Sequence, residues 1–141
     1  MTLDIKTGDW ATMGADAGAI RLIVFVQEQR VPLEMEWDEL DAVSVHAVAY
    51  DATGRAVGTG RLMPDGHIGR MAVLSAHRGS KVGSQILLHL IAEGRKRGHK
   101  VFVLSAQTHA KAFYARFGFK AEGGEYLDAG IPHQTMRLEI L

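Results

Sequence analysis

The fold is decided by one stretch of the chain, Arg70-Met71-Ala72-Val73-Leu74-Ser75-Ala76-His77-Arg78-Gly79-Ser80-Lys81-Val82-Gly83-Ser84. An apolar strand leads into a loop of small residues and cations, and the loop opens directly onto an amphipathic helix. The first turn of a helix offers unpaired backbone N–H groups and a partial positive charge, to which Arg78 and Lys81 add. These features predict a cradle for a phosphate or diphosphate group. Taken alone, they are equally typical of a plain helix start.

The segments on either side predict a mixed α/β domain that spans residues 1–141. Strands are predicted at residues 2–6, 43–50, 56–63, 67–74, 100–105, 119–121 and 134–140, and helices at residues 10–29, 82–97 and 108–117. Within the first helix, the apolar run 22–26 is equally typical of a strand. Turns at residues 51–54 and 64–66 join the second, third and fourth strands into an antiparallel meander.

The composition limits the chemistry and the partners. The 141 residues include no cysteine, which excludes disulfides, thiolate metal ligands and a cysteine nucleophile. The 16 basic and 16 acidic side chains balance, which argues against a nucleic-acid partner. Apolar runs are shorter than the roughly 18 residues of a membrane span, and residues 1–10 lack a signal-peptide pattern, so we predict a cytoplasmic protein with no membrane partner. The histidines show no metal-ligand spacing, and we expect no metal.

A second motif, Gln107-Thr108-His109-Ala110-Lys111-Ala112-Phe113-Tyr114-Ala115-Arg116-Phe117-Gly118-Phe119, begins where a predicted strand ends. With both motifs present, the sequence resembles the GNAT superfamily of acyl-CoA-dependent N-acetyltransferases. The diphosphate loop of that family, Gln/Arg-x-x-Gly-x-Gly/Ala, is matched by residues 78–83 with Lys81 in place of the first glycine. The later family pattern, Asn-x-x-Ala-x-x-x-Tyr-x-x-x-Gly-Phe, is matched with Gln107 in place of the asparagine.

Three further segments resemble the ElaA-like branch of the superfamily: Val24-Phe25-Val26-Gln27-Glu28-Gln29-Arg30-Val31-Pro32, Glu36-Trp37-Asp38 and Gly130-Ile131-Pro132-His133. The resemblance implies an α/β fold with a central, mostly antiparallel twisted sheet that is splayed between strands 4 and 5 and flanked by helices. It also implies transfer of an acetyl group from acetyl-CoA, as co-substrate, to a primary amine of a small-molecule or peptide acceptor.

The resemblance assigns a coenzyme site residue by residue. Backbone groups of Met71 and Val73 are expected to bind the pantetheine arm where strand 4 parts from its neighbour. The full set of expected coenzyme-binding residues is Met71, Ala72, Val73, Arg78, Gly79, Ser80, Lys81, Val82, Gly83, Ser84, Gln107, Ala110 and Phe113. Because lysine disfavours a positive φ, we expect a right-handed backbone at Lys81, with its N–H rather than its ammonium group on the phosphate.

The same resemblance implies that Tyr114 is the acid that protonates the leaving thiolate, although its spacing alone is typical of a core aromatic residue. Candidates for the general base are Glu34 and Glu36, which lie in a segment with five acidic residues between positions 34 and 41. His109, His133 or a relay of water molecules are alternatives. The acidic segment leads us to expect a preference for cationic acceptors.

Two other functions fit the same residues. One is a non-catalytic acyl-CoA-binding or sensing module, for which the departures at Lys81 and Gln107 leave room. The other is a nucleotide-binding regulatory domain that uses the same anion cradle for a different ligand. In each case the late strands offer an edge through which a homodimer would pair.

Overall fold

A computed structural model of the chain describes residues 3–36 and 38–140, so Trp37 lies outside the described residues. The strands are β1 (Asp4–Gly8), β2 (Val45–Tyr50), β3 (Ala56–Leu62), β4 (His67–Val73), β5 (Val101–Gln107), β6 (Lys120–Asp128) and β7 (Ile131–Glu139). The α-helices are α1 (Trp10–Arg21), α2 (Leu33–Glu36), α3 (Val82–Lys96) and α4 (Lys111–Ala115). A π-helical segment (Leu22–Glu28) continues α1, which rules out the alternative of a strand there.

All seven strands form one sheet in the order β1-β2-β3-β4-β5-β7-β6. Neighbours are antiparallel throughout, except that β4 and β5 run parallel. The paired positions of β4 and β5 are His67 with Val103 and Ile68 with Leu104, after which the two strands separate. The predicted sheet, its meander of β2, β3 and β4, and its splay between strands 4 and 5 are therefore confirmed.

A β-bulge in β4 marks the point of separation. Arg61 of β3 pairs with Gly69 and Thr59 pairs with Ala72, so two residues of β4, Arg70 and Met71, stand opposite one residue of β3. Arg70 has a φ of 51°, in the left-handed region that non-glycine residues rarely adopt. A bulge bends its strand and increases the local twist, which carries the end of β4 away from β5.

Helices α1 and α3 cover opposite faces of the sheet. Apolar side chains of α3 pack with those of β2, β3 and β5 in the main core, whereas α1 packs on the other face against Val48. Helix α3 packs close to the sheet at two glycines. A Cβ at Gly60 would lie 2.9 Å from Leu90, and one at Gly94 would lie 2.4 Å from Phe102, so a larger residue at either position would not fit without a shift. Among the helices within residues 3–36 and 38–140, none is long and apolar enough to cross a membrane.

The last third of the chain differs from the prediction. The expected helix at residues 108–117 is a 3-10 turn (Thr108–Ala110) followed by the five residues of α4. The two short C-terminal strands are instead the nine-residue strands β6 and β7 of one hairpin. Every residue of β6 is exposed, and its pairing with β7 is interrupted between Glu122 and Tyr126, where Gly123 has a φ of 72°. An exposed, glycine-interrupted strand lacks the alternating apolar pattern by which strands are predicted.

A buried ionic network ties α1 to the sheet and to the segment after α2. Arg21, at the end of α1, donates hydrogen bonds to the carboxylates of Glu36 and Asp41. Arg61 of β3 donates to Asp41 over 3.1 Å, and Arg70 donates to Asp38 over 3.1 Å. Burial raises the pKa of Asp41, but hydrogen bonds and charges from Arg21 and Arg61 outweigh it, so the net pKa is lowered.

We expect the substitution Arg21→Met to lower the free energy of unfolding by about 3–5 kcal/mol, because it leaves two buried carboxylates without their shared cation. Urea denaturation measures the change. The control is Arg97→Met, which removes the exposed pair between Arg97 and Glu93 on α3 and should cost less than about 1 kcal/mol. Equal small losses from both variants would contradict the stabilising role of the network.

Candidate active site

A cleft of about 1140 Å³ follows the gap between β4 and β5. Residues from both faces of the sheet line it: Val82, Gly83 and Phe113 on the α3 side, and Phe25, Gln29 and His133 on the α1 side. The cleft therefore passes through the sheet where the bulge has opened it. Of the predicted coenzyme-binding residues, the lining includes Met71, Ala72, Val73, Arg78, Gly79, Lys81, Val82, Gly83, Ser84, Gln107, Ala110 and Phe113, and leaves out Ser80.

The N-terminus of α3 forms one end of the cleft. Lys81 is the N-cap residue, and its side chain makes no capping hydrogen bond within the described residues. The first hydrogen bond of the helix is donated by the N–H of Gln85 to the carbonyl of Lys81, so the N–H groups of residues 82–84 have no acceptor inside the helix. These groups and the partial positive charge of the helix end suit a bound anion.

The predicted right-handed backbone at Lys81 is wrong. Its φ is 67° and its ψ is 17°, so its backbone is left-handed although the side chain is not glycine. The loop also contains Gly79 with a φ of 83°, and it must turn sharply from the end of β4 into α3. Lys81 is exposed. A left-handed backbone at a residue other than glycine costs about 1–2 kcal/mol.

Arg78 is held by contacts along the side of the cleft. Its Nε donates to the carbonyl oxygen of Val73 over 3.0 Å, and its Nη2 lies 2.6 Å from the Oε2 of Glu28. Glu28 ends the π-helical segment, so this ion pair joins the α1 side of the cleft to the loop before α3. An anion bound at the helix N-terminus would compete with Glu28 for the same guanidinium group.

Tyr114 lines the middle of the cleft, where the ring contacts Phe113 and Phe119 edge to face at centroid distances of 5.0 Å and 6.1 Å. Burial raises the pKa of Tyr114 to about 12, so its hydroxyl stays protonated at neutral pH. The hydroxyl makes no hydrogen bond to another side chain within residues 3–36 and 38–140. A protonated, unengaged donor in the gap suits a general acid.

The two carboxylates predicted as general bases are placed differently. Glu36 lines the cleft, but it is buried against Arg21, and its Oε2 lies 3.7 Å from the Nε of Arg70. Burial raises its pKa, while the hydrogen bond and the charge of Arg21 oppose the rise. Glu34 is exposed and is not among the described residues that line the cleft.

The ionic network pairs three of the five acidic side chains on which the expected preference for cationic acceptors is based, whereas Glu34 and Glu39 stay exposed. Asp38 and Asp41 are paired with Arg61, and Glu36 is paired with Arg21, so most of the acidic segment is already neutralised. This pairing could not be predicted from the sequence, because the partners are 15 to 32 residues apart along the chain.

The sequence did not predict the contact between two glutamine side chains across the cleft on the α1 side. Gln107, at the end of β5, donates to the side-chain oxygen of Gln29 over 3.1 Å, and Gln29 donates back over 3.4 Å. His109 also bonds to the side-chain oxygen of Gln107, over 2.7 Å. Gln29 belongs to the segment that resembles the ElaA-like branch, which is the signal that placed it near the site.

The comparisons with known proteins agree with this geometry. Residues 17–140 match the family described as Acetyltransferase (GNAT) domain. YjcF of Bacillus subtilis (strain 168), named an uncharacterized N-acetyltransferase, is 44% identical over 125 residues, which cover 86% of this chain and 89% of that protein. The chain belongs to the GNAT acetyltransferase family.

Two further relatives connect this GNAT domain to known structures. In the sequence comparison, Escherichia coli ElaA is 31% identical over 130 residues, which cover 86% of this chain and 84% of ElaA. In the structure comparison, the crystal structure of Escherichia coli ElaA gives a TM-score of 0.87 at 26% identity, covering 98% of this chain and 100% of that one. An acyl-CoA N-acyltransferase from Pseudomonas aeruginosa gives a TM-score of 0.85 at 34% identity, covering 97% of this chain and 99% of that one. The predicted resemblance to the superfamily and to its ElaA-like branch is confirmed.

Within residues 3–36 and 38–140 of this GNAT domain, no group of three or more His, Asp or Glu side chains is arranged to hold a metal ion.

The backbone of Lys81 gives a prediction for this GNAT domain. We expect Lys81→Gly to raise the free energy of unfolding by about 0.5–1 kcal/mol, because glycine relieves the left-handed strain but adds freedom to the unfolded chain. Gln85→Gly, on an exposed right-handed position of α3, should lower it by about 0.5–1 kcal/mol. Thermal unfolding of both variants compares them, and a loss of stability in Lys81→Gly would show that the ammonium group, not the backbone, dominates at this position.

Proposed function

We propose that the protein transfers an acetyl group from acetyl-CoA to a primary amine of an acceptor, by direct attack in a ternary complex. The observation that carries this proposal is the continuous cleft that runs from the N-terminus of α3 through the opened sheet to Tyr114. Family membership supports an acyl-CoA donor, and the relatives' names support acyl transfer to nitrogen. The proposed location is the cytoplasm, as the cysteine-free sequence predicts.

The loop before α3 is proposed to bind the diphosphate of the donor. The unpaired N–H groups of residues 82–84 face it, and Arg78 supplies charge once it leaves Glu28. The bulge leaves backbone groups of β4 without partners on β5, and those of Met71 and Val73 are proposed to bind the pantetheine arm. A backbone N–H at this point would also stabilise the oxyanion that forms on the thioester carbonyl.

The reaction needs one neutral nucleophile and one acid. The amine nitrogen attacks the thioester carbonyl carbon, and the carbon–sulfur bond of the tetrahedral intermediate then breaks. Tyr114 donates its proton to the departing sulfur, and the proton lost from the new amide nitrogen restores the phenol. The chain contains no cysteine, so no thioester is formed on a cysteine of the enzyme.

Release of free thiol tests the proposal against a non-catalytic acyl-CoA-binding module. The purified protein is mixed with acetyl-CoA and a panel of primary amines and peptides, and a thiol-reactive dye follows coenzyme A. The absence of cysteine means that the protein adds no signal. We expect calorimetric binding of acetyl-CoA together with amine-dependent thiol release. Binding without release for any amine would favour the binding module, and stabilisation by ATP in competition with acetyl-CoA would favour a nucleotide-binding domain.

The role of Tyr114 is tested by Tyr114→Phe, which should lower kcat by about 10²-fold while the Kd for acetyl-CoA changes by no more than a few-fold. Since its pKa is raised to about 12, ionisation of Tyr114 should cause no loss of kcat up to pH 10. Tyr50→Phe is the matched control, because burial also raises the pKa of Tyr50 to about 12, but this residue lies on β2 and bonds to Asp16. Unchanged turnover in Tyr114→Phe would remove the phenol from the mechanism.

A further inference from the structure

His133 is the histidine of the cleft whose ring is both buried and fixed. It lies on β7, lines the cleft and is 8% exposed. We propose that the Nε2 of His133 is the base that takes the ammonium proton from the acceptor amine. This inference rests on the proposed acetyl transfer, and it makes His133 a catalytic residue of the acceptor side of the cleft.

The hydrogen bond of the ring determines which nitrogen is free. The Nδ1 of His133 lies 2.6 Å from the backbone carbonyl oxygen of Ile131. A carbonyl oxygen only accepts, so Nδ1 carries the proton and the neutral ring has its lone pair on Nε2. Within residues 3–36 and 38–140, Nε2 has no hydrogen-bond partner, and it is not one of the fully buried unpaired atoms. The ring that lines the cleft therefore has an unprotonated nitrogen that is not fully buried.

Neighbouring strands hold the ring in this position. Tyr126 of β6 stacks on it with a centroid distance of 6.1 Å and an interplanar angle of 20°, and the Tyr126 hydroxyl bonds to Ser105 of β5. His133 stands directly opposite Gln107 in the pairing of β5 with β7. Opposite residues of an antiparallel pair share one face of the sheet. The glutamine pair across the cleft and the His133 ring therefore lie on the same side, the side of α1.

The other candidate bases are less suited to this step. Glu36 is engaged by Arg21, and Glu34 lies outside the described lining of the cleft. His109 bonds through its Nε2 to the side-chain oxygen of Gln107, so its lone pair is on Nδ1, and its ring is exposed rather than buried in the cleft. His133 differs from His109 in that its hydrogen-bonded ring is also buried.

The proton balance is simple. The acceptor enters as an ammonium ion, and Nε2 of His133 takes one proton to give a neutral amine and an imidazolium ring. The amine then attacks the thioester, and the second proton lost from nitrogen replaces the one that Tyr114 gives to sulfur. The imidazolium proton finally passes to solvent, so the products are the amide, coenzyme A and one released proton.

Charged and titratable groups around the ring come from several elements. Tyr126 faces it from β6, and His109 lies beyond Gln107 at the end of β5. Asp128, at the end of β6, and the paired residues Arg70 and Glu36 line the same cleft. The imidazolium formed during the reaction thus has one unpaired carboxylate, Asp128, in its vicinity, since Asp128 makes no ion pair within the described residues.

The test uses His133→Asn, because the asparagine amide can still donate to the carbonyl of Ile131 but offers no basic nitrogen. Two primary-amine substrates from the panel are compared, one strongly basic and one already neutral at pH 7. We expect kcat/KM at pH 7 to fall about 10²-fold for the strongly basic amine and no more than a few-fold for the neutral one. The deficit should shrink as the pH is raised past the pKa of the basic amine.

His89→Asn, on the exposed surface of α3, is the control and should leave both pH profiles unchanged. Nitrogen-15 NMR of the unliganded protein should find the Nδ1–H tautomer of His133. An equal, pH-independent loss for both amines would show a merely structural histidine and overturn the proposal, and so would the Nε2–H tautomer. A wild-type protein that releases no thiol with any amine overturns the proposed function instead. The tautomer of His133 is measured without substrates, so it tests the assignment of the free nitrogen separately from the proposed function.

Discussion

The bulge at Arg70 is the constraint on which the site depends. Strands that stay paired have no room between them for a ligand, whereas β4 leaves β5 after two paired positions. The extra residue in β4 requires a left-handed backbone at Arg70, and such a conformation persists only where its surroundings hold it. Here they do, since the guanidinium group of Arg70 bonds to Asp38 and lies beside Glu36. Arg70 therefore supplies both the left-handed backbone of the bulge and the side-chain ion pairs that hold the bulge in place.

This arrangement explains why the acidic segment does not act as a free negative surface. Three of its five carboxylates, those of Glu36, Asp38 and Asp41, pair with Arg21, Arg61 and Arg70, whereas Glu34 and Glu39 are exposed. The pairing connects α1, the segment after α2 and the bulge into one unit, so the π-helical segment that follows α1 is held against β4. Val24 in that segment packs with Ala72 and Leu74. The α1 side of the cleft is thereby fixed relative to the gap, as a site that positions two substrates requires.

The order of elements, the meander and the helix α3 were predictable, because apolar periodicity and turn residues mark them in the sequence. The site was predictable wherever its residues are contiguous, as in the loop before α3. Its remaining features are not marked in the local sequence: the bulge at Arg70, the left-handed backbone of Lys81 and the pairing of Glu36 with Arg21. Local preference disfavours the first two, and tertiary context overrides it. Strand β6 was predicted too short, at residues 119–121, because its exposed residues carry no apolar pattern.

The opened sheet also separates the chemistry of the two substrates. Alternation along β5 turns Leu104 and Ala106 toward the α3 core and Ser105 and Gln107 toward the α1 side. The N-terminus of α3 and Tyr114 are on the α3 side, and His133 shares the α1 side with Gln107. In the proposed reaction the donor binds on the α3 side and the amine on the α1 side, so the two meet in the gap between β4 and β5. In that proposal Tyr114 gives its proton to the departing sulfur from the α3 side, and His133 takes the ammonium proton on the α1 side, so the two proton transfers need no contact between the two side chains.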